Sequence, residues 1–149
     1  MPLESLIKQV EKFTAFTSRE NLQVSGVSVE WHLKHLLLVI IGIIDQLKAS
    51  DPASYQWQFN PGRSYIFLRG SIPRGRGRTP SSVDPAQTVK PAIKVLLKQA
   101  RERQAMLAEL PARSHFKHPY FGVLRKSHAL KFLVIHTKHH LSIVEDILK

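Results

Sequence analysis

Residues 28–51 read SVEWHLKHLLLVIIGIIDQLKASD, and this stretch decides the fold. Ser28 is placed to cap a helix start, and Asp51-Pro52 ends the helix, because a residue that precedes proline is pushed out of the α region. Between them Trp31, Leu33, Leu36, Val39, Ile40, Ile43, Ile44 and Leu47 leave almost no polar side, so this is read as the most buried helix of the molecule. Its unbroken apolar run, Leu36 to Ile44, is nine residues long. A bilayer crossing needs about 20. A helix apolar all round must instead be covered by other helices.

Three further stretches have the periodicity to cover it. Leu3 to Phe16 carries Leu6, Val10, Phe13 and Phe16 near one face. Thr88 to Leu110 carries Ile93, Leu96, Leu97, Ala100, Ala105, Leu107 and Leu110 as expected buried positions, with Pro91 tolerable in a first turn. The last runs from Ser127, a second candidate cap, to the C-terminus, and its stripe Ala129, Leu133, His136, His140, Val144, Ile147 follows the three- and four-residue steps of a core-facing surface. Ser50 to about Pro85 is punctuated by Pro and Gly, with only Ser64 to Leu68 patterned as a short strand. After Pro111 an aromatic, turn-rich connection spans His115 to Gly122. The expectation is one all-α domain over residues 1–149, a four-helix bundle with a long irregular connection between helices 2 and 3.

The chain has 22 Lys and Arg against 11 Asp and Glu, a formal charge of +11, which favours anionic partners. It has no cysteine, which excludes disulfides, Cys-ligated zinc, iron–sulfur clusters and thiol nucleophiles of its own. Between Asn60 and Val83 there are five arginines and no acidic residue, making Arg74, Arg76 and Arg78 candidate anion-binding residues. Lys90, Lys94, Lys98 and Arg101 form a second basic stripe at helical spacing. No phosphate-binding or dinucleotide glycine motif and no serine at a strand-to-helix elbow is present. The opening MPLESLIKQVEKF is interrupted by charges and is unlike a signal peptide, so the expected location is the cytoplasm, with no membrane partner.

The histidines carry the chemistry. His136 and His140 are four apart on the inward stripe, close enough for two imidazoles to reach one metal ion. Imidazoles buried among aliphatic residues need partners for their nitrogens, and a third ring on a facing helix completes a three-nitrogen site. His35 ranks first for that place, sharing its face with Val39 and the small Gly42, and His32 competes from one turn earlier. Three neutral imidazoles with one open position is the donor set of catalytic zinc, and the same donors suit nickel, cobalt or iron. His32, His139 and Glu30 are candidates for supporting the ligands or touching substrate, and Asp45 and Glu145 are the other carboxylates in reach.

Together Trp31-His-Leu-Lys-His35, Ile72-Pro-Arg-Gly-Arg-Gly-Arg78, His118-Pro-Tyr-Phe-Gly122 and His136-Thr-Lys-His-His140 resemble the DinB-like superfamily, in particular its branch of uncharacterised bacterial domains of unknown function. The resemblance covers Trp31 to Ile147. It implies a DinB-like four-helix bundle, a homodimer, and a divalent metal, zinc or nickel foremost, held by His35, His136 and His140. It also implies a metal-dependent hydrolase or transferase that activates water or a thiol, acting on a small substrate that the arginines suggest is anionic. The chain departs from the superfamily where Arg-Gly-Gln commonly follows the last histidine, since Leu141-Ser142-Ile143 stands there. The alternatives are a basic nucleic-acid-binding module using Arg74, Arg76 and Arg78 with the Lys90 to Arg101 stripe, and a non-catalytic dimeric helical bundle.

Overall fold

A computed structural model describes residues 2–75, 79–86 and 92–149. Among them are five α-helices, α1 (Pro2–Phe13), α2 (Val29–Ala49), α3 (Pro61–Arg69), α4 (Ile93–Met106) and α5 (Lys126–Ile147), and one antiparallel pair of strands, β1 (His115–His118) and β2 (Gly122–Arg125). Ser28 caps α2 as its sequence indicates, its side chain accepting from the Trp31 N–H. Nine aliphatic side chains of α2 are buried, each contributing roughly 1.5–3 kcal/mol relative to exposure. Helix α2 packs on α4 and α5, while α1 closes over α4 and α5. The predicted α5 stripe is buried throughout, from Ala129 to Ile147.

Three expectations are corrected. Ser64 to Leu68 is not a strand but part of α3. Asn60 caps that helix by accepting from the Arg63 N–H, Pro61 sits in its first turn, and Gly70 closes it at φ +70°. Arg63 and Ile66, three apart, face inward, and the Arg63 guanidinium donates to the Val123 and Gln58 carbonyls. Four to five residues of a short segment satisfy a strand or a helix pattern equally, and the caps decide.

The second correction is that the molecule is mostly helical rather than all-α, since His115 to Gly122 belongs to a β-hairpin. Phe116 pairs with Leu124 and both are buried, so the hairpin has an inner face on the core. Its turn is held by His118, whose Nδ1 accepts the N–H groups of Tyr120 and Phe121 at 3.0 and 3.1 Å. Gly122 takes φ +69°, a left-handed conformation that L side chains resist. An added Cβ there meets only ordinary contact, 3.6 Å from Asn60, so Gly122→Ala is expected to cost about 1–2 kcal/mol from backbone strain alone. A thermal melt should fall by roughly 2–8 °C. An unchanged melt would show that the turn relaxes freely.

Thirdly, Ser127 does not cap α5. Arg125 occupies that position without a side-chain cap, and the exposed Lys126 N–H is taken by the Ser114 carbonyl at 2.7 Å. The residue just before β1 offers a backbone carbonyl to an N–H at the helix start. The expected start of the third helix at Thr88 lies outside the described residues, as do Arg76, Arg78, Lys90 and Pro91; the described helix begins at Ile93. No helix among the described residues is long and apolar enough to cross a membrane.

Candidate metal centre

Helices α2 and α5 run against each other, so the inward positions of one look at the inward positions of the other. That packing brings His35 to His136 and His140, and one ring nitrogen from each lies within 4.8 Å of the others. His32 and His35 are equally buried, each 4% exposed, and His136 and His140 are buried beside them. The ranking of His35 over His32 agrees with this geometry, although the expected greater solvent access of His32 is not seen.

The hydrogen bonds specify what each nitrogen can do. His35 Nδ1 lies 2.8 Å from the Val83 carbonyl. A carbonyl only accepts, so Nδ1 carries the proton and Nε2 presents a lone pair. That lone pair faces His136 Nε2 at 3.2 Å, close to the roughly 3.3 Å edge of a tetrahedron with 2.0–2.1 Å bonds. The other nitrogen of His136, Nδ1, is buried with no hydrogen-bond partner among the described residues.

His140 belongs to a relay. Ser25 Oγ lies 2.9 Å from His32 Nε2, and His32 Nδ1 lies 2.9 Å from His140 Nδ1. Only one of the facing Nδ1 atoms carries a proton. When His32 donates through Nε2 to Ser25, its Nδ1 accepts from His140, and His140 Nε2 keeps a lone pair. With the opposite polarity the proton sits on His140 Nε2. Ser25 and His32 therefore govern the tautomer of a candidate ligand.

Burial also sets the charge. Desolvation is the largest cause holding His35, His136 and His140 below the ordinary imidazole range, and the neighbouring rings add to it at His136 and His140. His32 is lowered to about 4, again chiefly by desolvation. The rings are neutral near pH 7, which is the state that binds metal. Trp31 stacks on His35 at 4.9 Å between centroids, and its Nε1–H donates to Asp84 at 3.2 Å. The segment carrying Val83 and Asp84 thus covers the outer side of His35. On the other flank Phe132 approaches His136, and His118 packs edge-on to Phe132.

The remaining predicted residues are elsewhere or differently engaged. His139 contacts His140 edge to face, at 5.0 Å, and bonds to the Ile72 backbone. Glu30 is drawn to Lys34 at 2.6 Å and Asp45 to Arg103 at 2.7 Å. Arg74 reaches Asp146 and Ser142 on α5, and Arg101 reaches Glu11, so both are neutralised within the chain. Sequence reasoning missed Ser25 and the Val83 carbonyl. Nothing in the seven-residue spacing from Ser25 to His32 marks a contact, and every residue has a carbonyl.

No family model, curated protein or solved structure matches this chain.

Proposed function

We propose that this chain is a metal-dependent enzyme of the DinB-like superfamily, a hydrolase or transferase, in which His35, His136 and His140 hold one divalent ion, zinc or nickel foremost. In this reading α1, α2, α4 and α5 are the superfamily's four-helix bundle, and the chain works as a homodimer. The observation that carries the proposal is the His35 tautomer. Its Nδ1–H is committed to Val83, and its lone pair is aimed at a second imidazole nitrogen at tetrahedral spacing. Structural histidines satisfied by ordinary hydrogen bonds do not require three neutral rings converging without a carboxylate among them.

When bound, the ion supplies a Lewis acid that lowers the pKa of a coordinated water or thiol and polarises an acceptor group. The chain's own part is positional. Val83 fixes the His35 ring, the Ser25–His32 pair fixes the His140 ring, and Trp31 with Phe132 keeps bulk water from both sides. Neutral donors leave the positive charge of an ion uncompensated, which favours an anionic substrate.

Elemental analysis of protein purified without a polyhistidine tag, after loading and dialysis, is expected to give about one ion per chain. Dialysed protein without stoichiometric metal overturns the proposal. His32→Phe keeps the bulk of the ring and removes the partner of His140 Nδ1, and it is expected to weaken metal affinity about 10- to 100-fold. Ser25→Ala should act in the same direction with a smaller effect. Competition titrations against a chromophoric chelator measure both, and equal affinities in all three proteins would remove the relay from the account.

A further inference from the structure

We propose that the face built from residues 55–69 of the chain and the hairpin binds single-stranded nucleic acid, stacking bases on Trp57 and its neighbours and neutralising phosphates with Arg69, Lys117 and Lys131. This goes beyond the metal reading and does not depend on it. Residues 52–83 and 110–144 contain no Asp or Glu at all. The structure lays these two acid-free segments side by side: Asn60 donates to the Tyr120 carbonyl, Arg63 to the Val123 carbonyl, and Lys131 sits over the Phe67 ring. Other exposed cations are spent in ion pairs, Arg74 with Asp146, Arg101 with Glu11 and Lys8 with Glu4, whereas among the described residues Lys12, Arg19, Lys48, Lys94 and Lys138 are scattered singly without such exposed rings among them. Exposed Arg69, Lys117 and Lys131 have no carboxylate partner among the described residues.

Apolar rings stand among these cations. Trp57 is 62% exposed, Phe59 69%, Tyr65 54% and Leu68 90%. Trp57 and Phe59 are two apart in the irregular segment that leads into α3, and Tyr65 and Leu68 are three apart on α3 itself. The Arg63 guanidinium lies 6.0 Å from the Trp57 centroid and Arg69 donates to the Tyr65 hydroxyl at 2.8 Å. A ring buttressed by a guanidinium and open to solvent is a platform for an unpaired base, and flanking cations track the backbone of the strand.

The charge argues against the other occupants. A two-fold contact with a second copy would set the same acid-free cationic surface against itself. A membrane-surface helix needs one continuous apolar side, whereas the exposed positions of α3 mix Ser64 and Arg69 with Tyr65 and Leu68.

Fluorescence anisotropy of a labelled oligothymidylate of about 15 nucleotides tests this, with salt titrated upward from about 50 mM. Binding is expected to weaken with a log–log salt slope of roughly −2, from about three phosphates at 0.7 each. Trp57→Ala should weaken it about 5- to 150-fold, with Trp57→Phe restoring most of the affinity. The double variant Lys117→Glu, Lys131→Glu should flatten the slope. These side chains are exposed, so each variant should melt like the wild type. Absence of salt-dependent binding overturns the proposal, as does wild-type affinity in the Trp57→Ala and double variants. Capture by vesicles of phosphatidylglycerol and phosphatidylcholine without oligonucleotide binding assigns the face to a membrane instead. A dimer in sedimentation that Trp57→Ala splits, again without oligonucleotide binding, assigns it to a second copy.

Discussion

His136→Ala is expected to lose stoichiometric metal, with affinity reduced by at least about 100-fold, more than supporting partners of a ligand usually command. Two nitrogens remain, and His35 Nε2 loses the neighbour 3.2 Å away that makes the tetrahedral edge. The effect should also be visible in stability. Metal at about 100 times its Kd stabilises the folded wild type by about 2.7 kcal/mol, a rise in melting temperature of roughly 5–11 °C for a chain of this size. The variant should show no such rise. His139→Ala, which removes a ring bonded to Ile72 rather than one of the three converging donors, should keep it. Calorimetry of the three proteins with and without zinc decides the matter, and a metal-dependent rise in His136→Ala equal to that of the wild type would falsify the ligand assignment.

The second large effect is on the metal-free chain as acid is added. His32 and His118 are lowered from 6.5 to about 4, mainly by desolvation, and His35, His136 and His140 are lowered as well. As pH drops below about 6.5 the unfolded chain takes up protons on these rings while the folded chain does not. Stability contributed by the neutral rings is therefore complete above pH 6.5 and is lost as pH falls to about 4. A depression of that size corresponds to about 3 kcal/mol for a fully interior ring, and screening of rings that keep some solvent contact brings His32 and His118 to about 2 kcal/mol each. Acidifying chelator-treated protein from about pH 7.5 to 4.5 should thus remove on the order of 4 kcal/mol, a large part of the stability of an ordinary domain. Urea midpoints across this range measure it. The lowered carboxylates Glu4, Glu11 and Asp146 act in the same direction only at the acid end, where carboxyls of the unfolded chain begin to take up protons. A flat midpoint between pH 7 and 5 would mean the rings are already charged or solvated in the folded state.

How much of this was legible varied with the kind of interaction. Helix α2 was readable to within two residues, because Ser28, the apolar run and Asp51-Pro52 are all local signals. The α5 stripe was equally plain, and with it the inward direction of His136 and His140. Helix α3 was misread, since a five-residue window does not separate period 2 from period 3.6 and the deciding caps, Asn60 and Gly70, lie outside it. The hairpin was missed for a related reason. Phe116 and Leu124 reveal their common inner face only once the strands are paired. The basic residues show the sharpest limit. Arg74 and Arg101 counted as anion-binding candidates by charge alone, yet each meets a carboxylate 72 or 90 residues away in sequence.

The sequence by itself determined the buried helix, the four long helical stretches, the absence of cysteine and the inward direction of His136 and His140. Each follows from spacing along a helix or from composition, and neither requires knowing what lies opposite. Only the tertiary structure showed that His35, rather than His32, converges with both His136 and His140, because both occupy the inner side of α2 and the difference depends on which α5 rings each meets. It also set the tautomer of His35 and limited His32 and His140 to two coupled arrangements. The Val83 carbonyl and the Ser25 hydroxyl reach the imidazoles from segments 48 and 7 residues away, and a tautomer is set by the partner a ring finds in space.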